Sequence, residues 1–169
     1  MEEKKTMKMK NTPLVNDTLS KEVRFENEKR GMIYFQMVKH AVAAGLDKEK
    51  FARAAVNRIG RDNSRDFGKY DSLPEFVYSF MNEGLISQFR PELKEMDDDR
   101  ARVDFHYCPM LGGLSNMTED ADELELLCDC AMETDRGLTS SLGLGFELGH
   151  TIATGYDTCE LCFKWKEKR

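Results

Sequence analysis

In the first half of the chain, apolar residues recur at intervals of three and four positions, which is the period of an amphipathic helix. The first such pattern spans residues 21–44. A second begins at Asp47, a preferred helix cap, and runs to about Ile59. A third begins at Ser72 and ends at Gly84. The first half is therefore predicted to form three helices.

After residue 91 the pattern changes to an alternation of apolar and polar positions, which is typical of strands. Four segments show it: residues 92–96, 101–107, 144–152 and 159–165. One turn sequence separates the first segment from the second, and another separates the third from the fourth, so two hairpins are predicted. A fourth helix, residues 118–136, lies between the hairpins and is expected to stop at Gly137.

These elements predict the α+β class, with N-terminal helices packed with a four-stranded antiparallel sheet in β-β-α-β-β order. Residues 1–20 show no period, so we expect a disordered or loosely packed tail. Residues 21–169 are long enough for a single domain with a real core. The apolar stripe of the first helix is wide enough to be a core face or part of a homodimer surface.

The composition narrows the function classes. The chain is 33% charged and 40% hydrophobic, and its net charge is −6, which argues against a nucleic-acid partner. The N-terminus lacks the apolar core of a signal peptide and no run of 18 apolar residues occurs, so we expect a cytoplasmic protein with no membrane partner. Five cysteines, an odd number, favour reduced thiols over a disulfide framework.

All five cysteines follow residue 100, and the predicted elements orient them differently. On the last strand Cys159 falls on the apolar face, whereas Cys162 falls on the polar face. On the fourth helix Cys128 falls on the face toward the sheet and Cys130 on the face away from it. Cys108 lies at a strand end. We therefore expect Cys128 and Cys159 in one buried layer, and Cys130 and Cys162 outside it.

Two short cysteine spacings resemble parts of zinc sites, Cys159 with Cys162 and Cys128 with Cys130. A zinc knuckle needs both thiolates on one turn, so that both reach the same ion. Strand positions three apart face opposite sides, and helix positions two apart diverge as well. We predict no metal site and no cofactor.

Histidines and carboxylates near these thiols suggest nucleophilic chemistry. His150 alternates onto the apolar face of its strand, and an imidazole beside a thiol would favour the reactive thiolate. His106 shares the polar face of its strand with Cys108, and a twist after it would turn Cys108 toward the pocket. Asp135 lies on the same helix face as Cys128, and either it or Asp129 could orient an imidazole.

Three short pieces in this order resemble the L-2-amino-thiazoline-4-carboxylic acid hydrolase family. They are Cys108-Pro109, Cys128-Asp129, and Thr151 followed by Gly155, Cys159 and Phe163. The resemblance covers Val103 to Trp165 well and the helical part loosely. It implies a small-molecule substrate, to whose amidine carbon water is added.

The first functional hypothesis is accordingly a hydrolase that opens a C–N or C–S bond of a cyclic amidine. Its candidate nucleophiles are Cys108 and Cys159, and its candidate bases are His150 and His106. Its candidate substrate-binding residues are Cys128, Asp129 and Thr151. The mechanism requires a thiol with a lowered pKa, because a free thiol is mostly protonated at neutral pH.

The second hypothesis is a binding module in which the same thiol-lined pocket holds a small ligand without turnover. The predicted topology is similar to that of the 4-vinyl-reductase type of ligand-binding domain. Thiol-based metal or redox sensing is a variant of this hypothesis. Fold alone does not decide between an enzyme and a binding module.

Overall fold

The computed structural model describes residues 10–13 and 17–165. The tail predicted for residues 1–20 lies for the most part outside the described residues. The described helices are α1 Thr18–Ala43, α2 Lys48–Asn63, α3 Leu73–Phe80, α4 Glu83–Phe89, α5 Pro109–Ser115, α6 Ala121–Ala131 and α7 Glu133–Ser141. The strands are β1 Pro91–Met96, β2 Arg100–Phe105, β3 Leu144–Leu148 and β4 Cys159–Trp165.

The sheet confirms the predicted α+β class. Its four strands are all antiparallel and lie in the order β1-β2-β4-β3, so each predicted hairpin contributes one inner and one outer strand. The central pairing sets Val103 opposite Leu161 and Phe105 opposite Cys159. Three helices, α5 to α7, separate the two hairpins along the chain, where the pattern predicted one.

The first helix begins at Thr18, three residues earlier than predicted, because the Asp17 carboxylate accepts a hydrogen bond from the backbone N–H of Ser20. Its inner face packs on α5 at two glycines. A Cβ on Gly31 would meet the carbonyl oxygen of Met110, and one on Gly113 would clash with the carbonyl oxygen of Glu28. Gly31 and Gly113 therefore allow the two helices to approach closely.

The prediction of one helix over residues 118–136 is wrong at its end. The chain breaks at Met132, between α6 and α7, and then continues past Gly137. Gly137 lies inside α7 because this helix packs closely on α2, where a Cβ would meet the carbonyl oxygen of Asn57. Gly60 makes the reciprocal contact from α2 to the backbone of Thr134. Both glycines permit helix packing and neither ends a helix.

Two further boundaries differ from the prediction. The third helix ends at Phe80, and Asn82 then caps the separate helix α4, so Gly84 lies within a helix. Strand β3 ends at Leu148, and a short 3-10 turn, Ile152–Thr154, follows it. His150 therefore lies in the connection between these elements and not on a strand.

The core forms where α3 lies on the inner strands of the sheet. Phe76 and Phe163 are fully buried, with ring centroids 5.4 Å apart, and Phe80 lies 5.0 Å from Phe163. Such edge-to-face pairs stabilise a core beyond their buried area. None of the helices in the described part of the chain is long and apolar enough to cross a membrane.

Candidate functional site

Cys108 caps helix α5. Its Sγ accepts a hydrogen bond from the backbone N–H of Leu111 at 3.4 Å, and Pro109 occupies the first helical turn, where its missing N–H costs nothing. The backbone of Cys108 is also held by Asn11, whose amide nitrogen donates to the carbonyl oxygen of Cys108 and whose amide oxygen accepts from its N–H, both at 2.8 Å. Cys108 is half-buried.

Cys128 and Cys159 both lie in the core, which confirms that they share a buried layer. Cys128 comes from α6. Cys159 begins β4, and its Sγ accepts a hydrogen bond from the backbone N–H of Ile152 at 3.3 Å. The three thiols are close enough to interact electrostatically, because a negative charge on Cys108 or on Cys159 raises the pKa of Cys128. The three thiols therefore form one cluster between α5, α6 and β4.

Burial sets the electrostatics of this cluster. It raises the pKa of Cys108 to about 12, with further increases from Cys159 and from the Asp135 carboxylate. It raises the pKa of Cys159 to about 11 and that of Cys128 well above its ordinary value. With these raised pKa values, all three thiols are protonated at neutral pH. This direction is opposite to the lowered pKa that the sequence-based mechanism requires.

Asp135 is a carboxyl group near the cluster whose pKa burial shifts strongly. It lies in the first turn of α7, and burial raises its pKa to about 7. Its carboxylate is close enough to Cys108 to raise the pKa of that thiol. A carboxyl group that titrates near neutral pH suits proton transfer. The sequence pattern placed Asp135 on the same helix face as Cys128. It predicted that Asp135 orients a histidine and did not predict a role in proton transfer.

Neither candidate histidine lies among the groups that shift the pKa of the clustered thiols. His150 Nε2 is hydrogen-bonded to the Thr158 hydroxyl at 3.0 Å, and its ring stacks on Tyr156 at 4.6 Å. His106 Nε2 is hydrogen-bonded to a Glu92 carboxylate oxygen at 2.8 Å. The described contacts therefore give both imidazoles partners other than a cysteine.

Two of the expected substrate-binding residues support the frame of the site. Asp129 binds Arg53 at 2.5 Å and Arg136 at 2.6 Å. Burial alone would raise the pKa of this carboxyl, but the hydrogen bonds from Arg136 and Arg53 outweigh it and hold the pKa below its usual range. Thr151 caps the 3-10 turn through reciprocal hydrogen bonds with Thr154.

Cys130 and Cys162, which were expected outside the buried layer, are both buried. Cys130 is fully buried. It lies near Tyr34, whose pKa is raised first by the burial of its own hydroxyl and then by Cys130. Cys162 is buried on the other face of the sheet, where its Sγ accepts a hydrogen bond from the Arg100 guanidinium at 3.6 Å. Long polar side chains such as that of Arg100 cover this face of the sheet, so Cys162 is buried although it lies on the polar face.

In the described ranges, 10–13 and 17–165, no three His, Cys, Asp or Glu side chains gather closely enough to hold a metal ion. All five cysteines are free thiols. Two surface cavities lie along α1, with volumes of about 560 Å³ and 780 Å³, and neither has a cysteine in its lining. The thiols of the cluster are therefore not part of the lining of either cavity, although Asn11, which lines the cavity of about 560 Å³, holds the backbone of Cys108.

Comparison with known proteins identifies one family. The family described as L-2-amino-thiazoline-4-carboxylic acid hydrolase matches residues 24–163, which include the clustered thiols and both hairpins. No curated protein matches the chain.

Among solved structures, a similar fold occurs in a trafficking protein particle complex subunit 3 from Naegleria fowleri, whose crystal structure was determined with the protein covalently bound to palmitic acid. The two chains are 13% identical, the TM-score is 0.61, and the match covers 85% of this chain and 97% of that one. At this identity the likeness shows the fold alone.

Proposed function

Because the chain belongs to the L-2-amino-thiazoline-4-carboxylic acid hydrolase family, we propose that it is a hydrolase that opens the ring of a cyclic amidine of the aminothiazoline carboxylate type. The observation that carries the proposal is the cluster of Cys108 with Cys128, Cys159 and Asp135. A thiol and a buried carboxyl with a pKa of about 7 are the two groups that nucleophilic catalysis with proton transfer uses. Cys108 is our choice of nucleophile because Asp135 is a carboxylate that acts on its pKa, whereas the carboxylate that acts on the pKa of Cys159 is Asp104.

In the first step Asp135 accepts the proton of the Cys108 thiol. A substrate amidinium that lies closer to the Cys108 sulfur than to Asp135 favours this transfer, because it stabilises the thiolate more than the carboxylate. The Cys108 sulfur then bonds to the amidine carbon. The ring C–S bond breaks, and the departing sulfur takes the proton from Asp135.

In the second step a water molecule attacks the same carbon. Asp135 accepts one proton from this water, and the water oxygen stays bonded to the carbon. The bond to Cys108 breaks, the proton held by Asp135 returns to the Cys108 sulfur, and the second proton of the water leaves to solvent as the carbonyl forms. One water is consumed and the protein is unchanged, so no cofactor is needed for the balance. In this scheme Cys128 lines the site, while Asp129 and Thr151 position the elements around it.

The test is the covalent intermediate on Cys108. The reaction with an aminothiazoline carboxylate is quenched in acid within the first turnover, and the intact mass is measured. We expect an increase equal to one substrate molecule, mapped to the peptide that contains Cys108, and no increase in Cys108→Ala. Turnover with an adduct on Cys159, or with no adduct under any quench time, would remove Cys108 as nucleophile.

The raised thiol pKa values favour one alternative, a binding module whose cysteines are lining. Alkylation by iodoacetamide at pH 7 separates the two functions. Both predict slow alkylation of the free protein, because its thiols are protonated. Only the hydrolase predicts that a substrate-like amidine accelerates alkylation of Cys108, and only the binding module predicts ligand binding with no turnover.

The outer surface of α1 supports the expectation of a homodimer. Met32, Ile33 and Met37 are 36%, 58% and 55% exposed, and together with Leu46 and Phe51 they line the cavity of about 780 Å³. A contiguous apolar surface of this kind on a soluble domain is characteristic of an interaction site. We propose that a second copy of the chain covers it, which is compatible with a small-molecule hydrolase.

A further inference from the structure

The cavity of about 560 Å³ lies beside Tyr107 and Gly112, the residues that flank the Cys108 cap, and Asn11 forms part of its wall. Its volume falls within the range of small-molecule sites, roughly 300–1,000 Å³. Asn11 also holds both backbone polar groups of Cys108. The wall of this cavity is therefore in direct contact with the segment that carries the proposed nucleophile.

Three charged residues of α1 line this cavity in the order Lys21, Arg24 and Glu28. Their spacings of three and four positions place them on one helix face. Arg24 is 4% exposed, and its guanidinium donates a hydrogen bond to the backbone carbonyl oxygen of Ser87 at 3.4 Å. The wall therefore changes along its length from positive, at Lys21 and Arg24, to negative, at Glu28.

The negative end of the cavity is fixed by a hydrogen bond. The hydroxyl of Tyr107 donates to Glu28 Oε1 at 2.8 Å, and Tyr107 itself is buried. One such bond uses one of about four lone-pair positions of a carboxylate. Glu28 is thus held in place with capacity to accept from a bound cation.

Gly112 leaves the space at this end open. A Cβ at position 112 would lie 3.5 Å from Cγ and 3.6 Å from Oε1 of Glu28, and 3.7 Å from the amide nitrogen of Asn11. These are ordinary contact distances, so a small side chain would fit without moving the backbone. A long side chain at this position would occupy the cavity.

We propose that this cavity binds a small zwitterion of the amino-acid type. Its carboxylate lies toward Lys21 and Arg24, and its ammonium or amidinium group toward Glu28. Arg24 and Glu28 are about 6 Å apart along the helix axis, a span that suits opposite charges a few bonds apart in one small molecule. The proposal deepens the proposed function where the zwitterion is the aminothiazoline carboxylate, and an amino acid is the other source of the same chemistry.

The test is isothermal titration calorimetry on the full chain carrying Cys108→Ala, so that the ligand is not consumed. The probes are 2-amino-thiazoline-4-carboxylate and L-cysteine, with 2-aminothiazoline as the probe that lacks a carboxylate. We expect at least one of the two zwitterions to bind and the carboxylate-free probe to bind at least tenfold more weakly, given the strength of charge-assisted hydrogen bonds. Binding of neither zwitterion would overturn the proposal.

Two charge variants localise the binding. Lys21→Gln and Glu28→Gln should each weaken it about tenfold or more. The matched controls Lys50→Gln and Glu22→Gln, at exposed positions outside the cavity lining, should leave it unchanged. Unchanged affinity in Glu28→Gln would contradict the proposal, even if the protein hydrolyses its substrate.

A filled cavity provides the second test. Gly112→Met should abolish binding, whereas Gly68→Met, at a position with open space around it, should not. Circular dichroism and thermal melting check that both variants are folded. Binding that survives in folded Gly112→Met overturns the proposal. Binding that depends on Glu28 in a protein with no hydrolytic turnover supports this proposal and removes the proposed function.

Discussion

At the scale of single residues, the site depends on how burial changes acidity. Burial makes thiols and carboxyl groups alike harder to ionise, so it protonates Cys108 and Cys159 and leaves Asp135 titrating near neutral pH. The sequence pattern placed two of the thiols in the core correctly, but it contained no measure of this desolvation. For that reason it favoured a histidine as the base and predicted a lowered thiol pKa.

The raised pKa of Asp135 predicts a dependence of stability on pH. The carboxyl titrates near 4 in the unfolded chain and at about 7 in the folded one, so the folded state binds more protons between these values. The free energy of unfolding therefore falls as pH rises from about 4 to about 7. Asp135→Asn removes this loss. We expect the unfolding free energy of the variant, minus that of the wild type, to be about 2–4 kcal/mol larger at pH 8 than at pH 4.

The measurement is urea unfolding of both proteins at a series of pH values. Asp98→Asn, at an exposed position, serves as the control and should follow the wild type. A difference between Asp135→Asn and the wild type that stays constant from pH 4 to pH 8 would show that Asp135 has an ordinary pKa.

At the scale of elements, period and caps predicted most helices and all four strands, because both signals are local. Asp47 and Ser72 cap their helices as expected. Two of the helix ends were predicted wrongly because a glycine, which usually ends a helix, instead permits two helices to touch. Gly60 and Gly137 are both of this kind, and only the partner helix, distant in sequence, distinguishes the two roles.

The packing of α1 on α5 gives a prediction for two adjacent glycines. Gly113→Ala places a Cβ against the Glu28 carbonyl oxygen and forces the helices apart, at a cost of about 1–3 kcal/mol or more. Gly112→Ala meets only ordinary contacts and should be neutral or stabilising by up to about 1 kcal/mol. Thermal or urea unfolding of the two variants compares them directly. Equal stability would contradict the close approach of the two helices.

At the scale of the whole molecule, the helices enclose the thiol cluster against one face of the sheet and leave α1 with an apolar outer surface. The family match and the α+β fold agree with the order of motifs seen in the sequence. The sequence also indicated the wide apolar stripe of α1. It could not show the charged cavity or the Asp135 cluster, because each is assembled from segments far apart in the chain.

The apolar surface of α1 predicts a homodimer in solution. Size-exclusion chromatography with light scattering should give twice the chain mass for the wild type. Ile33→Glu should convert it to a monomer, because a charge in the centre of an apolar interface is not compensated. Leu19→Glu, which lies outside the cavity lining, should remain dimeric. A wild type that is monomeric at all concentrations would exclude this interface.

The central claim, hydrolysis at the Cys108 and Asp135 cluster, is tested most directly by steady-state turnover of 2-amino-thiazoline-4-carboxylate. The comparison is between the wild type, Cys108→Ala and Cys162→Ala, since Cys162 lies buried on the other face of the sheet. We predict that Cys108→Ala lowers kcat by about a thousandfold or more, as expected when a nucleophile is lost, and that folded Cys162→Ala keeps kcat within a few fold. Wild-type turnover that persists in Cys108→Ala, or its absence in the wild type, would contradict the claim.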